Sequence, residues 1–515
     1  KKTQATKTMM MLAIFSFISK IMGFVRESLI AAKYGSGSET DAFFLALVTI
    51  SMFTGVVSSS IGTTLIPVLS QVEKEEGKEG KQAHLNNFIN IIGIVALLLI
   101  FVAIVFAPLL LRVLAKGLEG ESFELVVLLS RIGLPSIFFS SIIGVYRGYL
   151  QSEGMFKESA VTGLITNIIL IFFLIVLTPY FDVRGLMVTY VIAQASPLIV
   201  QMVSLKSLNY KYKYHVDLKD KYMSKVMHMI PPVLVGVAIG DINSMVDNSM
   251  ASSLTAGSVS SLNYARRLEG ITMGIFITSI MTVIFPHLST EANKDDKTGF
   301  KNVITQGMNI ILMITIPAAV GMIVLGVPIV QLAFERGKFT HTNTLMTAGA
   351  LAFYSIGILA SAIHQFLRRG FYSLHDTKTP VVNSAIALGI NVILNIVLVR
   401  SMQHRGLALA TSLANTITAL ILIVQLRNKI GGFGIGKSLV VFIKSTFASI
   451  VMGLVAHYSY VHVSGLVGPG RMGLIIGLFS AVLLAVIVYF ILLLVLRVEE
   501  LNVLVDKAKE KLVKA

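Results

Sequence analysis

The chain has no cysteine and no tryptophan, and charged residues fill only 14% of its 515 positions. Without cysteine there can be no disulfide and no thiolate metal site, although this says little about compartment. So little charge, against 55% hydrophobic residues and a mean hydropathy of +0.79, excludes a soluble domain of ordinary composition. Alternation of apolar and polar residues at period two is absent, which argues against a transmembrane barrel. Acidic residues are the scarcer sign, 27 against 43 Lys and Arg. The net charge of +16 would suit nucleic acid, but the basic residues sit in short loops between apolar runs. That is the positive-inside pattern of a membrane protein, with anionic lipid headgroups as a second beneficiary. No nucleic-acid partner is expected. An enzyme is not expected either: phosphate-binding loops, nucleophile elbows and HExxH are all missing, and Gly35 and Gly37 read as turn glycines.

What remains is a series of apolar runs of membrane-spanning length. They lie at roughly 9–33, 41–70, 88–114, 124–150, 159–181 and 185–206, then 228–254, 258–288, 302–334, 345–372, 379–400 and 405–427, and finally 439–463 and 472–496. The fold class is therefore an all-α polytopic membrane protein of about 14 transmembrane helices. The first run lacks a small-residue cleavage site and continues as a full span, so no cleavable signal peptide is expected. Basic residues concentrate in alternate loops, which places both termini in the cytoplasm. The mixed charge run 73–81, EKEEGKEGK, reads as a solvated loop, and the tail 498–515 as an amphipathic interfacial helix.

The chain also repeats. YRGYLQSEGMFKESAVTGLITNIIL at 146–170 matches RRGFYSLHDTKTPVVNSAIALGINVIL at 368–394, and GVVSSSIGTTLIPVLS at 55–70 matches GIFITSIMTVIFPHLS at 274–289. Arg184-Gly185-Leu186 pairs in the same way with Arg405-Gly406-Leu407. A shared offset of about 220 residues marks an internal duplication. Six spans per copy keep both copies in one orientation, giving two parallel six-helix lobes, 1–208 and 228–430, joined by a cytoplasmic loop at 209–227. The extra helix pair, 431–497, lies outside the repeat. Such repeats usually belong to transporters.

Charge inside a span costs about 2.5–3.5 kcal/mol per residue at mid-membrane. The first span nevertheless carries Lys20, Arg26 and Glu27, with Ser16, Lys20, Gly23 and Glu27 on one helical stripe and Ser19 beside it. That stripe must line a polar interior. Arg26, and Arg266 and Arg267 of the second copy, each lie roughly 12–14 Å below the outer surface at 1.5 Å per residue. Guanidinium groups bind phosphate and carboxylate through a planar fork, so the expected ligand is anionic, with Asp41 placed to orient one of them. Internal pairing of Arg26 with Asp41 and of Arg267 with Glu269 is the structural alternative. Arg112, Arg147, Arg368 and Arg369 lie near helix ends, where snorkelling is the default reading, and Arg131 can snorkel too. His364 and Gln365 read as satisfied interhelical hydrogen bonds.

A second polar group holds Asp247, Asn391, Asn395 and Thr411. Hard oxygen donors of this kind suit an alkali cation, and equally serve as glue between helices. The turns at 34–41 and 254–260, rich in Gly and Ser, are equivalent in the two copies and are expected to meet as an outer seal.

At these residues the chain resembles the MurJ (MviN) lipid II flippase family of the multidrug/oligosaccharidyl-lipid/polysaccharide exporter superfamily. The carrying motifs are SKIMGFVRESLIAAKYGSGSETDAFFLA at 19–46, NYARRL at 263–268, FERGKFT at 334–340 and GFYSLHDTKTPV at 370–381. The resemblance implies two six-helix lobes, with 431–497 forming a lipid-accommodating groove. It also implies export of undecaprenyl-diphosphate-linked peptidoglycan precursor across the bacterial plasma membrane by alternating access. Ser19, Lys20, Arg26, Asp41, Arg266 and Arg267 would then be substrate-binding, Lys20 standing where many members have Arg and Thr54 where a cavity Arg occurs. Asp247, Asn391, Asn395 and Thr411 would form a sodium site, with sodium or the membrane potential as the coupling agent and no other cofactor. A monomer is expected. A flippase for another polyprenyl-diphosphate glycan, a non-transporting scaffold of wall synthesis and a glycan polymerase remain alternatives.

Overall fold

The computed structural model describes residues 2–501, with side chains defined except at 2–10, 12–13, 56–60, 62–63, 159–160, 230–239, 276, 278–279 and 282–283. Every run expected to span is helical. Nine helical stretches among the described residues are long and apolar enough to cross a membrane, from 64–114 to 471–495. In hydrocarbon each backbone N–H and C=O must be satisfied within its own segment, which dictates helices here.

The helices fall into two compact units. One holds residues 1–260 and 336–339, the other 261–335 and 340–515. The first contains α1 (Lys2–Tyr34), α2 (Ser38–Leu114), α3 (Gly120–Gly133), α4 (Ser136–Ser152) and α5 (Lys157–Phe172). A π-helical turn (Phe173–Leu177) follows α5, and then come α6 (Val183–Ala195), α7 (Pro197–Ser207) and α8 (Lys221–Ser252). Pro135 and Pro197 break two of the expected spans into α3–α4 and α6–α7, because proline lacks the N–H that would continue a helix. α9 (Ser258–Thr272) begins in the first unit and passes into the second. A second π turn (Met273–Ile277) then leads to α10 (Thr278–Ala292), α11 (Thr298–Val324), α12 (Gly326–Phe334) and α13 (His341–Ser373). The unit ends with α14 (Lys378–Met402), α15 (His404–Ile430), α16 (Ile435–Val467) and α17 (Arg471–Val495).

The run 73–81 is exposed from Lys74 to Glu79, as expected, but it is not a loop. It is helical on both sides of Gly77, whose φ of 74° breaks α2 into two arms. The arms pack together: Leu65, Leu69 and Val72 of one and Leu85, Phe88 and Ile92 of the other share a core with Val145 and Tyr149 of α4. That reversal buries the Lys81 side chain to 1% exposure, where it pairs with Glu73 at 2.7 Å and with Glu153. Two carboxylates offset the desolvation that a single buried ammonium would suffer. The 209–225 loop is pinned along the same arm. Asn87 Nδ2 donates to the Asp217 carbonyl at 2.9 Å and its Oδ1 accepts from the Asp217 N–H at 2.7 Å.

In the second unit α11, α13 and α15 to α17 enclose a core that includes Phe300, Phe366, Phe371 and Tyr489. α16 and α17 leave Phe447, Leu454, Phe479 and Val495 more than half exposed, a surface compatible with lipid and not with water. Of the expected tail helix, Val498 and Leu501 are buried in this core and 502–515 lie outside the described residues.

The repeat is visible in the backbone. α4 ends with the Met155 N–H donating to the Leu150 carbonyl at 2.9 Å across Gly154 (φ 77°). α13 ends with the Asp376 N–H donating to the Phe371 carbonyl at 2.9 Å across His375 (φ 58°). These are the same left-handed helix-ending turn, one repeat apart. Pro67 and Pro286 likewise sit inside α2 and α10 at equivalent positions.

Asp376 makes that second turn testable. Its carboxylate accepts from the Thr379 N–H and hydroxyl and from Lys429 at 2.6 Å. Burial opposes ionisation, but the Lys429 and Thr379 contacts outweigh it and hold the carboxyl down at about 2. A depressed carboxylate stabilises the fold fully above its ordinary pKa near 4 and loses that contribution as pH falls towards 2. Asp376→Asn should therefore melt below the wild type at pH 7, and the gap should close between pH 4 and 2. A gap independent of pH would rule out the ion pair.

Candidate functional site

The outer end of the first unit is built around Asp41. Its side chain is buried at the start of α2, and both oxygens accept backbone donors from the start of α9, Gly257 N–H and Ser260 N–H, each at 2.7 Å. The free N–H groups of a helix N-terminus are a natural partner for a carboxylate. Ser36 completes the contact, its hydroxyl 2.7 Å from that of Ser260 and 3.2 Å from the Gly257 carbonyl. Gly257 has φ 91°, and a Cβ there would lie 2.9 Å from the Ser36 carbonyl oxygen, so only glycine allows this approach. The turns 34–41 and 254–260 do meet. Asp41 does not orient Arg26, because both its oxygens are already held by backbone. The FERGKFT motif reaches the same end of α1: Arg336 donates to the Ser28 hydroxyl and the Lys338 N–H to the Ala32 carbonyl at 2.8 Å.

Arg26 is held from within its own unit. Nη1 donates to Asn167 Oδ1 at 2.9 Å and Nη2 to Glu27 Oε1 at 2.7 Å, while Asn167 Nδ2 returns to the Ser19 carbonyl at 3.1 Å. Glu27 is buried and Lys20 is exposed. Arg26 faces a cavity of about 290 Å³ bounded by α1, α4, α5 and the α6–α7 junction. Arg147 lines it too, with Thr162, Thr166, Asn167 and Gln194. Arg147 therefore turns inward and does not snorkel. Sequence reading missed Asn167, although Thr162, Thr166 and Asn167 form a polar stripe at helical spacing in an apolar run.

In the second unit Arg266 Nη2 donates to the Tyr354 hydroxyl at 3.0 Å, and the guanidinium carbon stands 5.4 Å above that ring. Arg267, one position on, is exposed. Asn391, Asn395 and Thr411 come together: Asn395 Nδ2 donates to Asn391 Oδ1 at 2.9 Å, and Asn391 Nδ2 to Thr411 Oγ1 at 3.2 Å. The oxygens of Asn391 and Thr411 thus accept neighbours' protons, an arrangement that fits polar glue. Asp247 is buried in the first unit. No group of three or more His, Cys, Asp or Glu among the described residues could hold a metal. The expectation of a satisfied His364 fails at Nε2, which is buried without a partner among them.

The model of the lipid II flippase MurJ family matches residues 30–478. The chain belongs to that family. It is 27% identical over 508 residues to a probable lipid II flippase MurJ of Bdellovibrio bacteriovorus, covering 97% of this chain and 96% of that one. It is 25% identical to the lipid II flippase MurJ of Burkholderia cenocepacia, covering 81% and 82%. Among solved structures it resembles lipid II flippase MurJ in an inward closed conformation, with a TM-score of 0.79 and 25% identity over 94% of this chain and 99% of that one. A multidrug resistance MATE family transporter in an inward-facing conformation, with a TM-score of 0.69 and 14% identity, covers 81% of this chain and 98% of that one, and shares the fold. As a MurJ family member, the chain is a multi-pass protein of the bacterial inner membrane.

Two measurements follow from this geometry. The Ser36–Ser260 contact predicts that a cysteine pair, Ser36→Cys with Ser260→Cys, crosslinks on oxidation in a chain that has no cysteine of its own; failure to crosslink would mean the turns do not meet. The hydrogen-bonded Asn391–Asn395–Thr411 group predicts equal thermal stability in sodium and in potassium. A sodium-specific rise that Asp247→Ala removes would instead establish a cation site.

Proposed function

We propose that this chain is a lipid II flippase that carries the undecaprenyl-diphosphate-linked peptidoglycan precursor from the inner to the outer leaflet by alternating access. The observation that carries the reading is the match to the MurJ family across most of the chain. The family's named substrate favours lipid II over another polyprenyl-diphosphate glycan.

In this reading Arg26 and Arg267 each serve diphosphate binding, since a planar fork matches phosphoryl oxygens two at a time. Lys20 adds a point charge where the fork is not required. Ser19 supplies the carbonyl that steadies Asn167, and Asn167 in turn aims Arg26. Arg266 holds its helix through Tyr354 and acts on substrate by placing Arg267 beside it. Asp41 acts by closing the outer turn, so its contribution is to gating and not to contact with the diphosphate. Both termini lie in the cytoplasm, and the chain works as a monomer.

Arg26→Ala and Arg267→Ala should each abolish rescue of a flippase-depleted bacterium while the protein reaches the membrane at wild-type level, and Lys at either position should restore only part. Full rescue by both alanine variants would remove these residues from the diphosphate site.

A further inference from the structure

The cavity inside the first unit holds more positive charge than its surroundings cancel. Arg26 and Arg147 line it, and no carboxylate does. Arg26 spends two of its five N–H groups on Asn167 and Glu27, and the rest remain for the diphosphate of the proposed function. Arg147 is different. Its Nε is buried with no hydrogen-bond partner among the described residues, and no carboxylate among them pairs with it. A guanidinium cannot shed its proton, so its charge calls for water or an anion in the cavity. Of the polar groups in the walls, the Thr166 hydroxyl already donates to the Thr162 carbonyl at 3.0 Å, whereas the Gln194 amide gives one N–H to the Tyr190 hydroxyl and keeps a second.

We infer that this cavity is a binding site for a phosphoryl anion, held by Arg147 through its planar fork and supported by the Gln194 amide. The volume supports a small ligand. At about 290 Å³ the space lies at the lower edge of ordinary ligand pockets, room for one or two phosphoryl groups and not for a glycopeptide headgroup. The charge count favours phosphoryl over a simple carboxylate. Two guanidiniums face one Glu27, and a di- or trianion with several acceptor oxygens can engage both Arg147 and the neutral donors. Two sources carry this chemistry: free inorganic phosphate or diphosphate, and the diphosphate of a polyprenyl lipid. The site shares Arg26 with the proposed diphosphate grip and to that extent rests on that reading, but Arg147 has no part in that grip, and the site is read by binding without transport.

The test uses the full chain purified in detergent. Radiolabelled inorganic diphosphate in equilibrium dialysis should bind once per chain and raise the melting temperature at constant ionic strength. Arg147→Gln should lose both effects and Arg147→Lys should keep part, whereas Arg112→Gln, which removes an exposed charge of the same unit, should change neither. Gln194→Glu places a carboxylate in the cavity wall and should abolish binding with Arg147 intact, which covers the case of a poorly folded Arg147 variant. Polyprenyl diphosphate that displaces the label identifies the lipid as the source; label that stays identifies the free anion. No saturable binding by wild type would overturn the inference, as would undiminished binding by Arg147→Gln, or acetate and sulfate acting as strongly as diphosphate. None of these outcomes bears on whether the chain complements a flippase-depleted strain, so failure of the site and failure of the transport reading remain distinguishable.

Discussion

The governing constraint is that a charge placed between apolar helices must find a partner within the protein. Arg26 sits in the middle of the longest motif of the chain, and three helical positions are arranged around it. Glu27 neutralises one side of its fork, Asn167 of α5 accepts from the other, and the Ser19 carbonyl one turn and more below fixes the Asn167 amide. α1 and α5 are thereby locked at a particular rotation, since a turn of either would unpair the guanidinium in a low dielectric. Packing and electrostatics agree at this point: Gly163 of α5 lies against the Ser19 side chain, where a Cβ would be 2.6 Å from its oxygen.

Much of this was legible in the residues because membrane helices advertise themselves by length and hydropathy. The runs, the duplication and the polar stripe of α1 all follow from periodicity in one dimension. The partners of charged groups did not follow. Sequence reading set Asp41 to orient one of the guanidiniums, with Arg26–Asp41 pairing as the structural alternative, yet Asp41 is held by the N–H groups of Gly257 and Ser260. Backbone donors carry no mark in a sequence, so a carboxylate that caps a distant helix looks like a carboxylate in search of a cation. Lys81 shows the reverse error. In a run of mixed charges it reads as solvated, and only the reversal at Gly77 brings Glu73 and Glu153 together over it.

Arg147 was obscured for a third reason. Proximity to a helix end is a sound argument for snorkelling only when the end is free to face the interface. Here α4 packs along α2, α6 and α7, and Arg147 lines the cavity on that side. Its depth along the helix was read correctly and its azimuth was not, because azimuth depends on which neighbours cover the other faces.

The same helical architecture occurs in multidrug transporters that share only 14% identity with this chain, so architecture does not choose the cargo. Sign of charge does. A helix bundle that moves cations must offer carboxylates to the space its cargo occupies, and the cavity of the first unit offers two guanidiniums and none. Acidic side chains number 27 against 43 Lys and Arg, and several are tied elsewhere, Glu73 to Lys81, Glu75 to Lys221, Glu291 to Lys294 and Asp376 to Lys429. The scarcity of acid noted at the outset is thus met again at this cavity, where Glu27 beside Arg26 is the one carboxylate among the described residues that pairs with a lining guanidinium.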